Sequence, residues 1–238
     1  GALLKYLSEK GYDSGNGLRV LVRTPKSLCN ELNAFDIQQG SIEDSTAVTK
    51  AMQGVEYVYH CAAMSSDWGR WADFYSANVI GTRNLINAFS KSPVKKRFVH
   101  ISTTDVYGYQ NIPEEEDKEG VLTSLPYNRS KLLAEREIRK IGKRTHTEYT
   151  IIRPATIFGP GSKDVVAEFC DLLLKKELPY IDGGKAQAGL VYVESVLDVM
   201  TQLASHKKAA NQTYNLRDPG SITWQGYIRA LCKELGCD

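Results

Sequence analysis

Tyr127 and Lys131 stand four residues apart, a spacing that sets both on one face of a helix. Pro126, just before them, suits a first helical turn, where its missing N–H is no loss. A tyrosine titrates near ~10, so at neutral pH it is a poor base. Lowering that by ~3 units takes about 4 kcal/mol of preference for the phenolate. A lysine ammonium one turn away supplies part of it, and a cationic ring bound alongside would supply more. Such a tyrosine gives a proton to a carbonyl or takes one from an alcohol. Thr103 is the third candidate. It comes after the apolar run 98–102, which reads as a buried strand, so its hydroxyl falls at the strand end and can hold the same oxygen.

Spacing alone decides little. With 13 Tyr and 18 Lys in 238 residues, about one such pair arises by chance, so the pattern needs its context. Tyr6 and Lys10 form another such pair and read as surface residues of an N-terminal helix.

The elements around these residues alternate. Strands are expected at 18–23, 34–38, 55–63, 98–102, 149–154, 190–193 and 213–216. Helices are expected from residue 2 to Gly11, over 44–52, 71–90, from 126, over 165–174 and 194–204, and from 223. Strand–helix alternation predicts an α/β fold, a doubly wound parallel sheet of Rossmann type covered on both faces. Ligands then bind at the C-terminal ends of the strands, where Thr103 would lie.

Composition sets the bounds. The chain is 42% hydrophobic and 24% charged with a net charge of +2, as expected of a soluble globular protein of one or two domains. That charge gives no reason to expect nucleic acid or an anionic membrane, and no apolar run is long enough to span a bilayer. Cys29, Cys61, Cys170, Cys232 and Cys237 are odd in number and show no metal-type spacing. A reduced, cytoplasmic setting without a metal is expected, with Cys61 a small core residue.

Five motifs appear in order. They are His60-Cys61-Ala62-Ala63, Asn78-Val79-Ile80-Gly81-Thr82-Arg83-Asn84, Ser102-Thr103-Thr104-Asp105-Val106-Tyr107-Gly108, Tyr127 with Lys131, and Arg153-Pro154-Ala155-Thr156-Ile157-Phe158-Gly159-Pro160. Together they resemble the extended short-chain dehydrogenase/reductase family, also called the NAD-dependent epimerase/dehydratase family, over nearly the whole chain. The resemblance implies that Thr103, Tyr127 and Lys131 are catalytic and that Asn78 holds a water linking Lys131 to solvent. It implies that His60, Ala62 and Ala63 lie along a dinucleotide, with Ser41 and Ile42 near adenine, and that Pro154, Thr156 and Ile157 lie beside nicotinamide, which Tyr127 and Lys131 also meet. Arg23 and Lys26, where NAD-preferring members carry an acid, favour NADP, with NAD the alternative. Met64, Trp68, Thr104, Asp105 and Tyr107 are the candidate substrate residues, although packing suits Tyr107 equally and strand-end packing suits His60 better than catalysis. The acidic run 114–117 reads as a solvated loop face.

Departures from the family pattern shape the rest. The Gly-x-x-Gly-x-x-Gly loop is absent, and Gly1-Ala2-Leu3 looks like the start of the helix that such a loop leads into. The chain is therefore expected to lack both ends of the protein, including a central first strand, leaving Val20, Val58 and Ile101 without a full neighbouring layer. Residues 1–155 form the dinucleotide-binding part. Residues 156–238 form a substrate lobe, interleaved with the sheet and incomplete. Ala188 stands where nucleotide-sugar enzymes carry a phosphate-binding Arg. With the aromatic segment 64–71, it resembles the 3β-hydroxysteroid dehydrogenase-like and dihydroflavonol reductase-like branches. The leading expectation is hydride transfer between nicotinamide and a secondary alcohol or ketone of a hydrophobic substrate. The alternatives are a nucleotide-sugar epimerase or dehydratase, and a non-catalytic NADP-binding sensor or scaffold. A homodimer through helices 71–90 and 127–141 is also expected.

Overall fold

The computed structural model describes residues 1–12, 15, 17–25, 35–108 and 114–237. Helix α1, Ala2–Glu9, leads into strand β1, Arg19–Val22, and β2, Asp36–Gln39. Asp44 caps helix α2, Ser45–Ala51, by accepting from the Thr46 and Ala47 amides, groups with no partner inside the helix. Strand β3, Tyr57–His60, ends before Cys61, so the small residues 61–63 belong to the loop beyond it.

The expected helix 71–90 is three pieces. They are α3, Trp71–Phe74, a π-helical stretch, Tyr75–Ile80, and α4, Gly81–Ser90. Strand β4, Arg97–Ile101, runs into a 3₁₀ turn, Thr104–Tyr107. Helix α5, Pro126–Thr145, precedes β5, Tyr149–Pro154, and the short β6, Thr156–Phe158, which the sequence pattern does not show. Helix α6, Glu168–Leu174, strand β7, Leu190–Tyr192, helix α7, Val193–Ser205, strand β8, Gln212–Leu216, and helix α8, Trp224–Leu235, complete the order.

All named strand pairs are parallel. Strands β3, β4, β5 and β8 form a four-stranded sheet in that order, while β1 pairs with β2 and β6 with β7. No ladder joins β1 to β3 among the described residues. Strand alternation sends Val58, Phe98 and Ile151 to one face, where they pack with Val48, Leu85, Ile86, Phe89, Ile138 and Ile141 of α2, α4 and α5. Val99 and Ile152 face the other way, onto Met200 and Ala204 of α7 and Leu3 of α1. Helices thus cover both faces, as a doubly wound fold requires. Val58 is buried, contrary to the expectation of an open layer there, because α2, α4 and α5 close over it; Val20 and Ile101 remain half-buried.

Helix α5 carries the candidate residues Tyr127 and Lys131. Its buried residues include Ser130, Lys131, Ala134, Glu135, Ile138, Ile141 and Gly142. They recur at the three- and four-residue steps of one stripe, which Tyr127 heads. Burying the apolar end of this stripe against β3, β4 and β5 carries its polar end onto the C-terminal edge of the sheet.

Candidate active site

Thr103 sits where β4 leaves the sheet. It is extended, buried, and accepts a hydrogen bond from the Asp105 amide at 3.1 Å, which caps the 3₁₀ turn. That turn aims Asp105 at Tyr127. Burial pushes the Tyr127 phenol up to about 12, the Asp105 carboxylate adds to the rise, and a hydrogen bond with Ser65 works against it. Burial also raises Asp105, opposed by its bond with Thr103 and reinforced by Asp67. Ser65, Asp67, Thr103, Asp105 and Tyr127 therefore share one place at the strand ends.

Lys131 lies deeper. Its Nζ donates to the Ile101 carbonyl at 2.6 Å and lies 3.4 Å from His100 Nε2. Burial draws its pKa down to about 8, against the Glu135 carboxylate, which holds it up. The expected lowering of Tyr127 is absent with these residues alone: desolvation of a half-buried phenol and a neighbouring carboxylate outweigh the Ser65 hydrogen bond. A positive charge bound against the phenol is what would reverse the sign.

Polar residues of the Asn78–Asn84 motif tie the ends of β2 and β3 to the helices. The π-helical stretch turns Asn78 inward, a recurrent use of such bulges. Its Nδ2 donates to Ser130 Oγ at 2.8 Å and to the Met64 carbonyl at 3.0 Å, and its Oδ1 accepts from the Met64 amide at 2.7 Å. Asn78 thus clamps the loop after β3 to helix α5; both Nδ2 protons are committed, so a water linking it to Lys131 has only the remaining Oδ1 lone pair. Thr82 bonds His60 at 2.8 Å, and Asn84 donates to the carbonyls of Ile42 and Glu43 at 3.1 Å. Gly81 is required by closeness: a Cβ there would lie 2.6 Å from the Ile42 side chain.

The remaining candidates divide. Ala62 and Ala63 are exposed on a shelf of small side chains, with Ile157 exposed and Thr156 partly so. Cys61 also exposes surface there, correcting its placement in the core, although its enclosed thiol is pushed up to about 11 by burial. Trp68 is 86% exposed and Met64 half-buried, while Thr104 lies between, on the 3₁₀ turn. Arg23 is exposed beyond β1, and Ser41 and Ile42 come after β2. Lys26 lies outside the described residues.

Three residues are placed differently from the expectation. His60 is buried and cannot line a cofactor surface, because alternation along β3 turns it toward α4. Pro154 is buried at the end of β5, leaving Thr156 and Ile157 as the surface beside it. Tyr107 is buried too. Its hydroxyl meets Arg153 Nη1 at 2.5 Å, Asn215 Oδ1 at 2.9 Å and the Glu115 carbonyl at 3.1 Å, so its polar end serves a structural network. The acidic run keeps Glu115, Glu116 and Asp117 exposed, as a solvated face should, and is also tied to that network: Asn215 donates to the Glu114 carbonyl and to the Glu116 carboxylate. Gly120 lets the loop return, since a Cβ there would lie 2.3 Å from the Val106 carbonyl.

The family model "NAD dependent epimerase/dehydratase family" matches residues 1–216. The chain belongs to the NAD-dependent epimerase/dehydratase family. It is 30% identical to the UDP-glucose 4-epimerase of Vibrio cholerae over 227 residues, covering 87% of this chain and 65% of that protein. It is 25% identical to a Stigmatella aurantiaca enzyme, 4-hydroxy-2-methyl-3-oxo-4-farnesyl-3,4-dihydroquinoline-1-oxide ketoreductase, covering 93% of this chain and 67% of that one. The chain thus spans about two thirds of the length of these relatives. In fold it is similar to Bacillus cereus UDP-glucuronic acid 4-epimerase solved with UDP-glucuronic acid and NAD, at a TM-score of 0.83 and 22% identity, covering 99% of this chain and 79% of that one. The family therefore includes reductases and epimerases on one doubly wound frame. No helix among the described residues is long and apolar enough to cross a membrane.

Proposed function

We propose that this family member is an NAD(P)-dependent oxidoreductase acting on a secondary alcohol or ketone of a small hydrophobic substrate. The observation that carries the proposal is the convergence of Thr103, Asp105 and Tyr127 at the end of β4, with Lys131 fixed beneath them. Nicotinamide, when bound, supplies or takes the hydride. Tyr127 passes the proton, Thr103 holds the substrate oxygen, and Lys131 supplies positive charge and meets the cofactor ribose.

Two features support a hydrophobic substrate. Ala188 is buried against Leu190 and Tyr227, so the place of a phosphate-binding cation is filled by apolar packing. The loop after β3, whose Ser65 and Asp67 bear on Tyr127 and Asp105, presents Trp68 to solvent. Arg23 supports NADP over NAD, through a charge-assisted contact with a 2′-phosphate. The division at residue 155 and a homodimer belong to the same reading; Trp71, with the Arg129 guanidinium 4.6 Å from its ring, would lie on the shared helical face.

The second reading is a nucleotide-sugar epimerase or dehydratase, favoured by the Vibrio cholerae relative. The complete protein, assayed with hydrophobic ketones beside UDP- and dTDP-sugars, separates the two. Net NADPH consumption with a ketone is expected. Conversion of a nucleotide sugar without net cofactor turnover would overturn the first reading. Tyr127→Phe should lower turnover by ~10²-fold or more; near-wild-type turnover at saturating substrate would sink both.

A further inference from the structure

Two histidines lie under the site and have no part in the proton and hydride steps above. His60 and His100 are register partners on β3 and β4, so their side chains share the face covered by α4 and α5. Their ring centroids are 4.9 Å apart, and they are 3% and 1% exposed. Among the described residues each has one hydrogen-bonding contact through Nε2. His60 Nε2 lies 2.8 Å from Thr82 Oγ1, and His100 Nε2 lies 3.4 Å from Lys131 Nζ.

The partners of these nitrogens fix both tautomers. Thr82 has one proton, and it goes to the Asn78 carbonyl at 2.6 Å. Its oxygen must therefore accept from His60, which carries its proton on Nε2. Lys131 Nζ is a donor, already bonded to the Ile101 carbonyl. His100 Nε2 must accept from it, which places the His100 proton on Nδ1, an atom without a partner among the described residues. A buried N–H left unpaired is costly, so the ring is held in that state by what its other nitrogen does.

We propose that His100 is a positioning residue for the reaction: its neutral ring accepts from Lys131 and, with the Ile101 carbonyl, fixes the amine at the end of β4. The proposal rests on the oxidoreductase reading for its catalytic meaning but not for its geometry. Both rings stay uncharged, since burial pulls His60 down to about 3 and His100 well below the ordinary range, with the Lys131 charge acting in the same direction on both. The groups that bear on the pair are Glu135 and Cys61, which favour the ammonium, and His60 and Arg139, which oppose a charge on His100. Asp105 bears on Tyr127 above, with Asp67 beside it.

Three proteins test this: the complete wild type, His100→Leu and His100→Gln. Imidazole ¹⁵N shifts of the wild type should show His60 protonated at Nε2 and His100 at Nδ1, both neutral at pH 6. A His100 proton on Nε2 would overturn the proposal with no variant needed. Titration of the Lys131 ε-carbon by NMR should move down by about one pH unit or more in His100→Leu, because the ammonium loses an acceptor, and return toward wild type in His100→Gln. The acid limb of the kcat/KM profile for alcohol oxidation should move up in His100→Leu as Tyr127 loses cationic support. An unmoved Lys131 titration in a folded His100→Leu protein would overturn the assignment. If Lys131 shifts but no alcohol or ketone turns over, the oxidoreductase reading fails and the positioning contact stands.

Discussion

Glu135 and Arg153 face each other with no exposed surface on either side chain, joined by hydrogen bonds of 2.9 and 2.7 Å. Ser102 Oγ donates to the same carboxylate at 2.6 Å and Arg139 at 2.9 Å, while Arg153 reaches Tyr107 and the Lys118 carbonyl. One ion pair thus connects helix α5, strands β4 and β5, and the loop before α5. Removing one partner leaves a buried charge alone, so Glu135→Ala should cost about 3 kcal/mol or more. Replacing both, as Glu135→Leu with Arg153→Met, should cost far less. Urea denaturation of the three proteins checks this, and equal losses in the single and double variants would count against it.

The same pair predicts an acid response. Burial alone would raise Glu135, but its bonds with Arg153 and Ser102 and the Arg139 charge hold it below the ordinary value of 4.5. Its contribution is therefore complete above pH 4.5 and is lost as pH falls through the lower folded value. Wild-type stability should fall more steeply below pH 4.5 than that of the double variant. Parallel stability curves over that range would refute the linkage.

Lys131 predicts the opposite trade. Its folded pKa of about 8 lies below the ordinary 10.5, so its charge costs the folded state about 3 kcal/mol at pH 7. That cost is full below pH 8 and is relieved as pH rises toward 10.5. Lys131→Met should be inactive yet about 1–2 kcal/mol more stable at pH 7, since it also leaves two acceptors without a donor. The gap should narrow at pH 10. A Lys131→Met protein less stable than wild type at pH 7 would contradict this.

Much of this was legible in the sequence. The i, i+4 spacing of Tyr127 and Lys131 and the apolar run ending at Thr103 placed three residues because helix and strand periods are properties of the pattern itself. The π-helical turn at Asn78 was not legible, since a register change in backbone hydrogen bonding leaves the apolar spacing of 71–90 nearly intact. Strand β6 was too short to show a period. Glu135 was missed although a signal existed: an acid four residues after Lys131 on a buried stripe, and an arginine closing the apolar run Ile151-Ile152. Two charges inside apolar patterns pointed to each other. Tyr107 and His60 were placed by their motifs, and only the direction of each side chain separated packing from ligand contact.

The absence of a ladder between β1 and β3 among the described residues predicts uneven protection. Amides of Val20 and Leu21 belong to a two-stranded pair, whereas Val99 and Ile151 lie inside a four-stranded sheet covered on both faces. Hydrogen exchange should be at least ~10²-fold faster at the first two, because local opening precedes global unfolding. Equal protection at all four would show that the two pieces of sheet open as one.

The latch between Asn215 and Glu116 joins residues 99 apart in the chain. At ~5–20 residues per second of synthesis, the segment leading into α5 waits roughly 5–20 s on the ribosome for its anchor. Once Arg153 has been made, Tyr107 and Arg153 are both present for the rest of that interval, but the Asn215 side chain that completes their network is not. Helix α5 is therefore entered from an unfastened loop until β8 arrives, and ribosome pausing between codons 153 and 215 would lengthen the exposure of Arg153 and Glu135 to water.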